Sequence, residues 1–112
     1  MRIGVTGGCG YLGSVLVPEL IAAGHKVEAI DLRPPETTLL QKIDPGKFRY
    51  HAVDVSSAPK VAELIGDFDL IIHLAALVGY PACEKDPNLA LKWNVATTRN
   101  LIRLKNKTTP VV

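Results

Sequence analysis

The chain has 112 residues, 47% of them apolar, with 13 basic and 11 acidic side chains and a formal net charge of +2. That length allows one domain, burying roughly 65% of its unfolded surface, which is enough for a hydrophobic core. The charges are spread along the chain without a basic block, which argues against nucleic acid as a partner. No apolar run is long enough to span a bilayer, and no leader-like segment opens the chain, so the sequence reads as cytoplasmic with no membrane partner. Cys9 and Cys83 form no C-x-x-C pair or disulfide framework, and His25, His51 and His73 lack metal-ligand spacing.

Residues 2–6, Arg-Ile-Gly-Val-Thr, predict a buried strand. The turn Thr6-Gly7-Gly8-Cys9-Gly10-Tyr11-Leu12-Gly13 follows, in two overlapping registers, Gly8-x-Gly10-x-x-Gly13 and Gly7-x-x-Gly10-x-x-Gly13. Residues 11–23 predict a helix with Leu12, Val15, Leu16 and Leu20 on one face. Pro18 inside it removes a hydrogen bond and predicts a kink or local loosening. Gly24 is the expected C-terminal cap. Residues 26–31 predict a second strand ending at Asp31.

Pro34-Pro35 breaks the chain, a short helix is expected over 38–43, and Pro45-Gly46 is a turn. Residues 48–53 predict a third strand, ending at Asp54. Ser56 or Ser57 then caps a helix that carries Pro59 in its first turn and runs to Leu64 or Ile65. After the Gly66-Asp67 turn, residues 69–74 predict a fourth strand whose Leu70-Ile71-Ile72 run suits burial on both faces. Residues 75–86 read as a loop. Asp86-Pro87 opens a helix to about Lys105, with Ala90, Trp93, Thr97, Leu101 and Leu104 along one stripe. Pro110-Val111-Val112 reads as the start of a fifth strand. Alternating strands and helices predict a Rossmann-type α/β fold. Its doubly wound parallel sheet has right-handed crossovers and the order 3-2-1-4-5, and it is cut in or near strand five.

Strand, glycine turn, helix, strand and acid in this order read as a dinucleotide-binding unit. Glycine permits backbone angles closed to other residues. A bare backbone lets a pyrophosphate approach the N–H groups at the helix start, where the dipole favours negative charge. The last glycine lets helix and strand pack closely. Asp31 can accept hydrogen bonds from ribose hydroxyls, and its carboxylate repels a 2′-phosphate, which favours NAD over NADP. Arg33, two residues on, is the side chain that would meet that phosphate instead. Cys9 fits as a small residue beside the phosphates, while a thiol at a helix start leaves a redox role open.

With these elements placed, three motifs converge. Thr6-Gly7-Gly8-Cys9-Gly10-Tyr11-Leu12-Gly13 resembles the TGxxGxxG turn of the extended short-chain dehydrogenase/reductases. His73-Leu74-Ala75-Ala76 resembles the end of their fourth strand. Asn94-Val95, with Thr97-Thr98-Arg99-Asn100-Leu101, resembles their NVxGTxNLL helix, with Ala96-Thr97 in place of the usual variable-Gly pair. Together they point to the NAD-dependent epimerase/dehydratase branch, and the loop Val78–Cys83 has the same look.

The resemblance implies roles. Gly7, Gly10 and Gly13 shape the pyrophosphate turn, with the backbone of Tyr11 and Leu12 beside the phosphates. Asp31 holds the adenosine ribose, and Asp54 and Val55 contact the adenine. Leu74, Ala75 and Ala76 pass under the ribose and nicotinamide side, and Asn94 supports the site from the fourth helix. Plainer roles also fit: Asp54 closing its own turn, Ala75-Ala76 small for packing, Asn94 bonded to a neighbouring loop, and His73 a satisfied strand-end ring.

One departure matters. The family places a Ser or Thr after strand five, then Tyr-x-x-x-Lys, and a C-terminal substrate region. None of Tyr11, Tyr50 or Tyr80 has Lys four residues later. Without that positioned acid–base pair the chain alone is expected to be inactive. Two expectations follow. In the first, this is the NAD-binding portion of an epimerase/dehydratase-like oxidoreductase, which acts on a nucleotide sugar or related substrate when complete and forms a possible homodimer. In the second, it is a stand-alone dinucleotide-binding module that oligomerises or pairs with another chain.

Overall fold

Parallel pairing of four short apolar runs brings all their C-terminal ends to one side. In the computed structural model, which describes residues 1–36, 38–76 and 84–112, these runs are β1 (Arg2–Thr6), β2 (Lys26–Asp31), β3 (Phe48–Ala52) and β4 (Leu70–His73). They form one parallel sheet in the order β3-β2-β1-β4, with Val5 beside Ala29 on one flank and Ile72 on the other. Val111 makes a parallel bridge to Ile71 beyond β4. There Ile71 N–H donates to Pro110 at 3.0 Å and His73 N–H to Val112 at 2.8 Å, which puts this segment in the fifth position of the expected order.

Side chains alternate across the sheet. One face presents Ile3, Val5, Val27 and Ala29 to Val17, Leu20 and Ile21 of α1 (Tyr11–Ala22) and to Leu40 of α2 (Thr38–Gln41). The other presents Ile30 and Ile71 to Val61 and Ile65 of α3 (Ala58–Ile65) and to Leu101 of α5 (Thr97–Leu104). Helices on both faces make the sheet doubly wound, as expected.

Three details differ from the sequence reading. α1 is continuous through Pro18. Its buried residues are Gly13 and Val17, whereas Leu12 and Val15 are exposed. Gly13 sets this orientation, because the helix packs glycine-side down on the turn and turns Leu12 and Val15 away. The helix also ends as a Schellman motif, with Gly24 at φ +92°: His25 N–H donates to Leu20 and Gly24 N–H to Ile21.

The third difference lies in the last helix. Asp86 caps α4 (Pro87–Leu91) by accepting from Leu89 N–H at 3.0 Å. The chain then widens into a π-helical turn, Lys92–Ala96, before α5. Thr97 Oγ1 donates to the Trp93 carbonyl at 2.5 Å and Thr98 Oγ1 to the Asn94 carbonyl at 3.1 Å. Hydroxyls that claim carbonyls four residues back compete with the helical N–H groups and favour the wider turn.

A polar cluster crosses the sheet diagonally, from Arg2 at the start of β1 through Glu28 in mid-β2 to His51 near the end of β3. Glu28, buried in mid-sheet, accepts from Arg2 Nε at 2.6 Å and pairs with His51 Nε2 at 2.6 Å. The Arg2 guanidinium lies 5.0 Å from the centre of the Phe68 ring. That ring in turn fills the space beside Gly4, where a Cβ would stand 2.7 Å from it.

Candidate functional site

The upper ends of β1 and β4 meet where the strand order reverses, the place where open α/β sheets bind ligands. Gly7 has φ +68°, and its N–H donates to Ile30 at 2.8 Å, joining the turn to β2. A Cβ at Gly7 would lie 2.7 Å from the Ala75 nitrogen, and one at Gly13 would overlap the Gly8 carbonyl. Gly10 N–H closes the turn on Gly7 O at 3.0 Å. As the N-cap of α1, Gly10 offers no side-chain cap, and the first turn carries no acid. The N–H groups of Tyr11, Leu12 and Gly13 therefore sit at the positive end of the helix with no side-chain acceptor, the arrangement that receives an anion.

Asp31 stands across from this helix end. Its Oδ2 accepts from Cys9 N–H and its Oδ1 from Arg33 N–H, both at 3.1 Å, while Tyr50 OH donates to its carbonyl at 3.3 Å. Both carboxylate oxygens are thus fixed, and each keeps acceptor capacity for a hydroxyl. A cavity of about 240 Å³ lies between, lined by Cys9, Gly10, Tyr11, Ser14, Asp31, Arg33 and Glu36. Burial, and after it the Asp31 charge, pushes the pKa of the Cys9 thiol up to about 11, which disfavours a thiolate there. Glu36 follows two prolines with no motif around it, and nothing in the sequence signalled its place on this cavity.

The strand-end loop sits against the glycine turn. Leu74 N–H donates to Thr6 O at 3.0 Å and Ala75 N–H to Thr6 Oγ1 at 3.3 Å, which holds this backbone over Gly7. Ala76 is exposed. The expected loop segment Val78–Cys83 lies outside the described residues. His73, just below, is flanked by Thr6 Oγ1 at 2.6 Å from Nδ1 and Thr98 Oγ1 at 2.9 Å from Nε2, and burial lowers its pKa.

The other expected residues are more dispersed. Asp54 Oδ1 accepts from both the N–H and the hydroxyl of Ser56, at 2.8 and 2.6 Å, so it closes its own turn. The Val55 side chain is buried in the core with Ile30 and Val61. Its carbonyl and that of Ser56 accept from Asn100 Nδ2 at 3.3 and 2.9 Å, a tie between α5 and this turn that sequence reasoning did not assign. Asn94, half-buried in the π-helical turn, lines a separate cavity of about 330 Å³ with Val95, Thr98, Arg99, Ile102 and Arg103. The structure thus brings Gly10, Tyr11, Asp31 and Arg33 onto one cavity and Leu74-Ala75 against Gly7. Among the described residues no His, Cys, Asp and Glu group forms a metal site.

A doubly wound parallel sheet with its glycine turn at the switch point defines a Rossmann-type α/β domain. Residues 3–112 match the model of the NAD dependent epimerase/dehydratase family. The chain belongs to that family. It is 34% identical to an uncharacterized membrane protein of Methanocaldococcus jannaschii, over 89% of this chain and 31% of that one. It is 32% identical to D-erythronate dehydrogenase of Haemophilus influenzae, over 100% of this chain and 36% of that one. Among solved structures, the UDP-glucose 4-epimerase of Thermus thermophilus in complex with NAD superposes with a TM-score of 0.79 at 27% identity, over 93% of this chain and 33% of that one. The chain spans about a third of the length of the relatives it matches. Among the described residues no helix is long and apolar enough to cross a membrane.

Proposed function

We propose that residues 1–112 are the NAD-binding part of a longer, cytoplasmic epimerase/dehydratase-like oxidoreductase acting on a nucleotide sugar or a related hydroxylated substrate. One observation carries this reading: a helix N-terminus without a side-chain cap faces a pinned aspartate across a single cavity. The fit to a dinucleotide rests on the cradle itself, since a Cβ at Gly7 or Gly13 would fill the space in which the turn, helix and strand-end loop converge.

In this reading the Gly7–Gly13 turn takes the pyrophosphate on the Tyr11 and Leu12 N–H groups, and Asp31 takes the adenosine ribose hydroxyls. Asp54 and Val55 border the adenine. Leu74, Ala75 and Ala76 lie under the ribose and nicotinamide side, and Asn94 supports that side from the π-helical turn. Asp31 and Glu36 place two carboxylates against one guanidinium, Arg33, on the cavity wall, which disfavours a 2′-phosphate and selects NAD over NADP. A bound nicotinamide dinucleotide supplies hydride transfer. These residues bind and orient it, and the proton-transfer pair belongs to segments outside this chain, so the 112 residues bind without turnover. The NAD-complexed epimerase and the D-erythronate dehydrogenase among the relatives support the substrate range. The complete protein is read as a homodimer, which light scattering on it would check.

The test is calorimetric titration of NAD and NADP side by side into the chain and its Asp31→Ala variant. NAD binds more tightly than NADP, and the variant loses about tenfold or more in NAD affinity. A folded chain that binds no NAD overturns the reading, and tighter NADP binding reverses the cofactor choice.

A further inference from the structure

His73 is surrounded by hydroxyl groups whose hydrogens can be counted. On its Nε2 side stand Thr98 Oγ1 at 2.9 Å and Thr97 Oγ1 at 3.5 Å. Each of those hydroxyls already spends its one hydrogen on a helix carbonyl, Thr98 on Asn94 and Thr97 on Trp93. Both therefore turn lone pairs toward the ring, and Nε2 must carry the hydrogen between them. On the other side, Thr6 Oγ1 lies 2.6 Å from Nδ1 and accepts from Ala75 N–H at 3.3 Å. Thr6 is fully buried, at 0% exposure. If Nδ1 also carried a hydrogen, the Thr6 hydroxyl would have no acceptor among its described contacts, a costly state for a buried donor. The arrangement in which every hydrogen is used has Nδ1 bare and accepting from Thr6.

We propose that His73, as the neutral Nε2–H tautomer, is a positioning residue of the dinucleotide site. It links the π-helical turn to the Leu74–Ala75 backbone that lies over Gly7. The chain runs in one direction: Ala75 N–H to Thr6, Thr6 O–H to His73 Nδ1, His73 Nε2–H to Thr98, and Thr98 O–H to the Asn94 carbonyl. It ties the ends of β1 and β4 to the last helix through one ring. His73 touches no reacting atom in this reading. It acts through Thr6 and Ala75 on the distance between the strand-end loop and the glycine turn, where only 2.7 Å separates a virtual Gly7 Cβ from Ala75 N. The consequence for cofactor affinity rests on the NAD reading above, while the tautomer does not.

Two measurements test it on the 112-residue chain. Nitrogen-15 NMR of the imidazole at neutral pH reads the tautomer without any ligand. The expected pattern is a bare, hydrogen-bonded Nδ1 and a protonated Nε2. An Nδ1–H tautomer or an imidazolium overturns the proposal. NAD titration is then run on Thr6→Val, Thr98→Val and His73→Phe, with melting temperature recorded for each. Thr6→Val keeps the shape of the side chain and removes the link, so it shifts the His73 Nδ1 signal and weakens NAD binding about fivefold to tenfold. Thr98→Val moves the Nε2 signal, leaves Nδ1 bonded to Thr6, and weakens NAD less. His73→Phe loses at least as much affinity as Thr6→Val. Should it fail to fold, the Thr6 and Thr98 variants still decide. Unchanged NAD affinity in a folded Thr6→Val variant overturns the positioning role. If the unsubstituted chain binds no NAD while the tautomer is as expected, the cofactor reading fails and the hydrogen-bond assignment stands.

Discussion

Two polar regions of the sheet deal with their groups in opposite ways. Across one face Arg2, Glu28 and His51 pair with one another, and the partly exposed Arg2 also meets Asp67 and Phe68. At the upper end the helix α1 starts without a side-chain cap, the Asp31 carboxylate is fixed yet still able to accept, and a cavity opens between them. A cluster whose charges are already matched serves the fold first, even though Arg2 and Glu28 border an open cavity of about 320 Å³. Groups held in place with spare hydrogen-bonding capacity contribute less to stability and are ready to bind.

Substitutions in the two regions should therefore separate folding from binding. The largest effect is expected at Gly13, where a side chain meets the Gly8 backbone. Gly13→Val should cost about 3 kcal/mol in chemical denaturation and abolish NAD binding, because turn and helix can no longer close. Next comes Glu28→Ala, which leaves Arg2 and His51 without their carboxylate. It should cost about 2 kcal/mol, less than a fully buried pair because the Arg2 side chain is 35% exposed. NAD affinity, measured by calorimetry on the folded protein, should be unchanged. A matching loss of affinity would show that the two regions are not independent.

Acid should act on both regions, in two stages. Burial pushes the Glu28 carboxyl up, but hydrogen bonds from Arg2 and His51 outweigh it and hold the group below its ordinary 4.5. That contribution is complete above pH 4.5 and lost as pH falls through the folded-state value. Burial lowers the His73 pKa below 6.5, so its neutral form also favours folding at higher pH, and stability declines as pH drops below 6.5. Thermal melts from pH 7 to 3 should show both stages. In Glu28→Ala the loss below 4.5 should be much reduced while the shallower one above it persists, and identical acid profiles would remove Glu28 as the cause. The smallest change in stability is expected for Gly10→Asp, which gives α1 a side-chain cap. It should change stability by no more than a few tenths of a kcal/mol, because the new cap is offset by a Cβ 3.2 Å from the Gly7 carbonyl, and still lower NAD affinity by about tenfold, since the carboxylate occupies the place of the phosphate. Unchanged affinity would mean that the helix start does not receive the anion.

The upper end was largely legible in the sequence, because its signals are local. Glycine spacing, an acid at a strand end and Asp86-Pro87 at a helix start each report a backbone requirement within a few residues. The Arg2–Glu28–His51 cluster was not legible, since residues 2, 28 and 51 meet only once the strands pair in register. The inward face of α1 was misread for a related reason. Apolar periodicity favoured Leu12 and Val15, while the close approach of Gly13 to the turn decided the rotation. The π-helical turn escaped notice because an unbroken helical stripe carries no mark of hydroxyls competing for carbonyls. Asp54 and Val55 were read as a pair, yet their side chains go to different places, one into its own turn and the other into the core.

Gly4 sits at the middle of the central strand, and the Phe68 ring occupies the volume its missing side chain would need. The two positions behave as one unit of volume shared between a strand and the loop before β4. A methyl group at position 4 alone would force the aromatic ring out and disturb the cation stacked on it. Alanine at 4 should be accepted only together with a smaller residue at 68, such as leucine. Across related chains these two sites are expected to vary in concert, large opposite small, as a covarying pair that neither position reveals by itself.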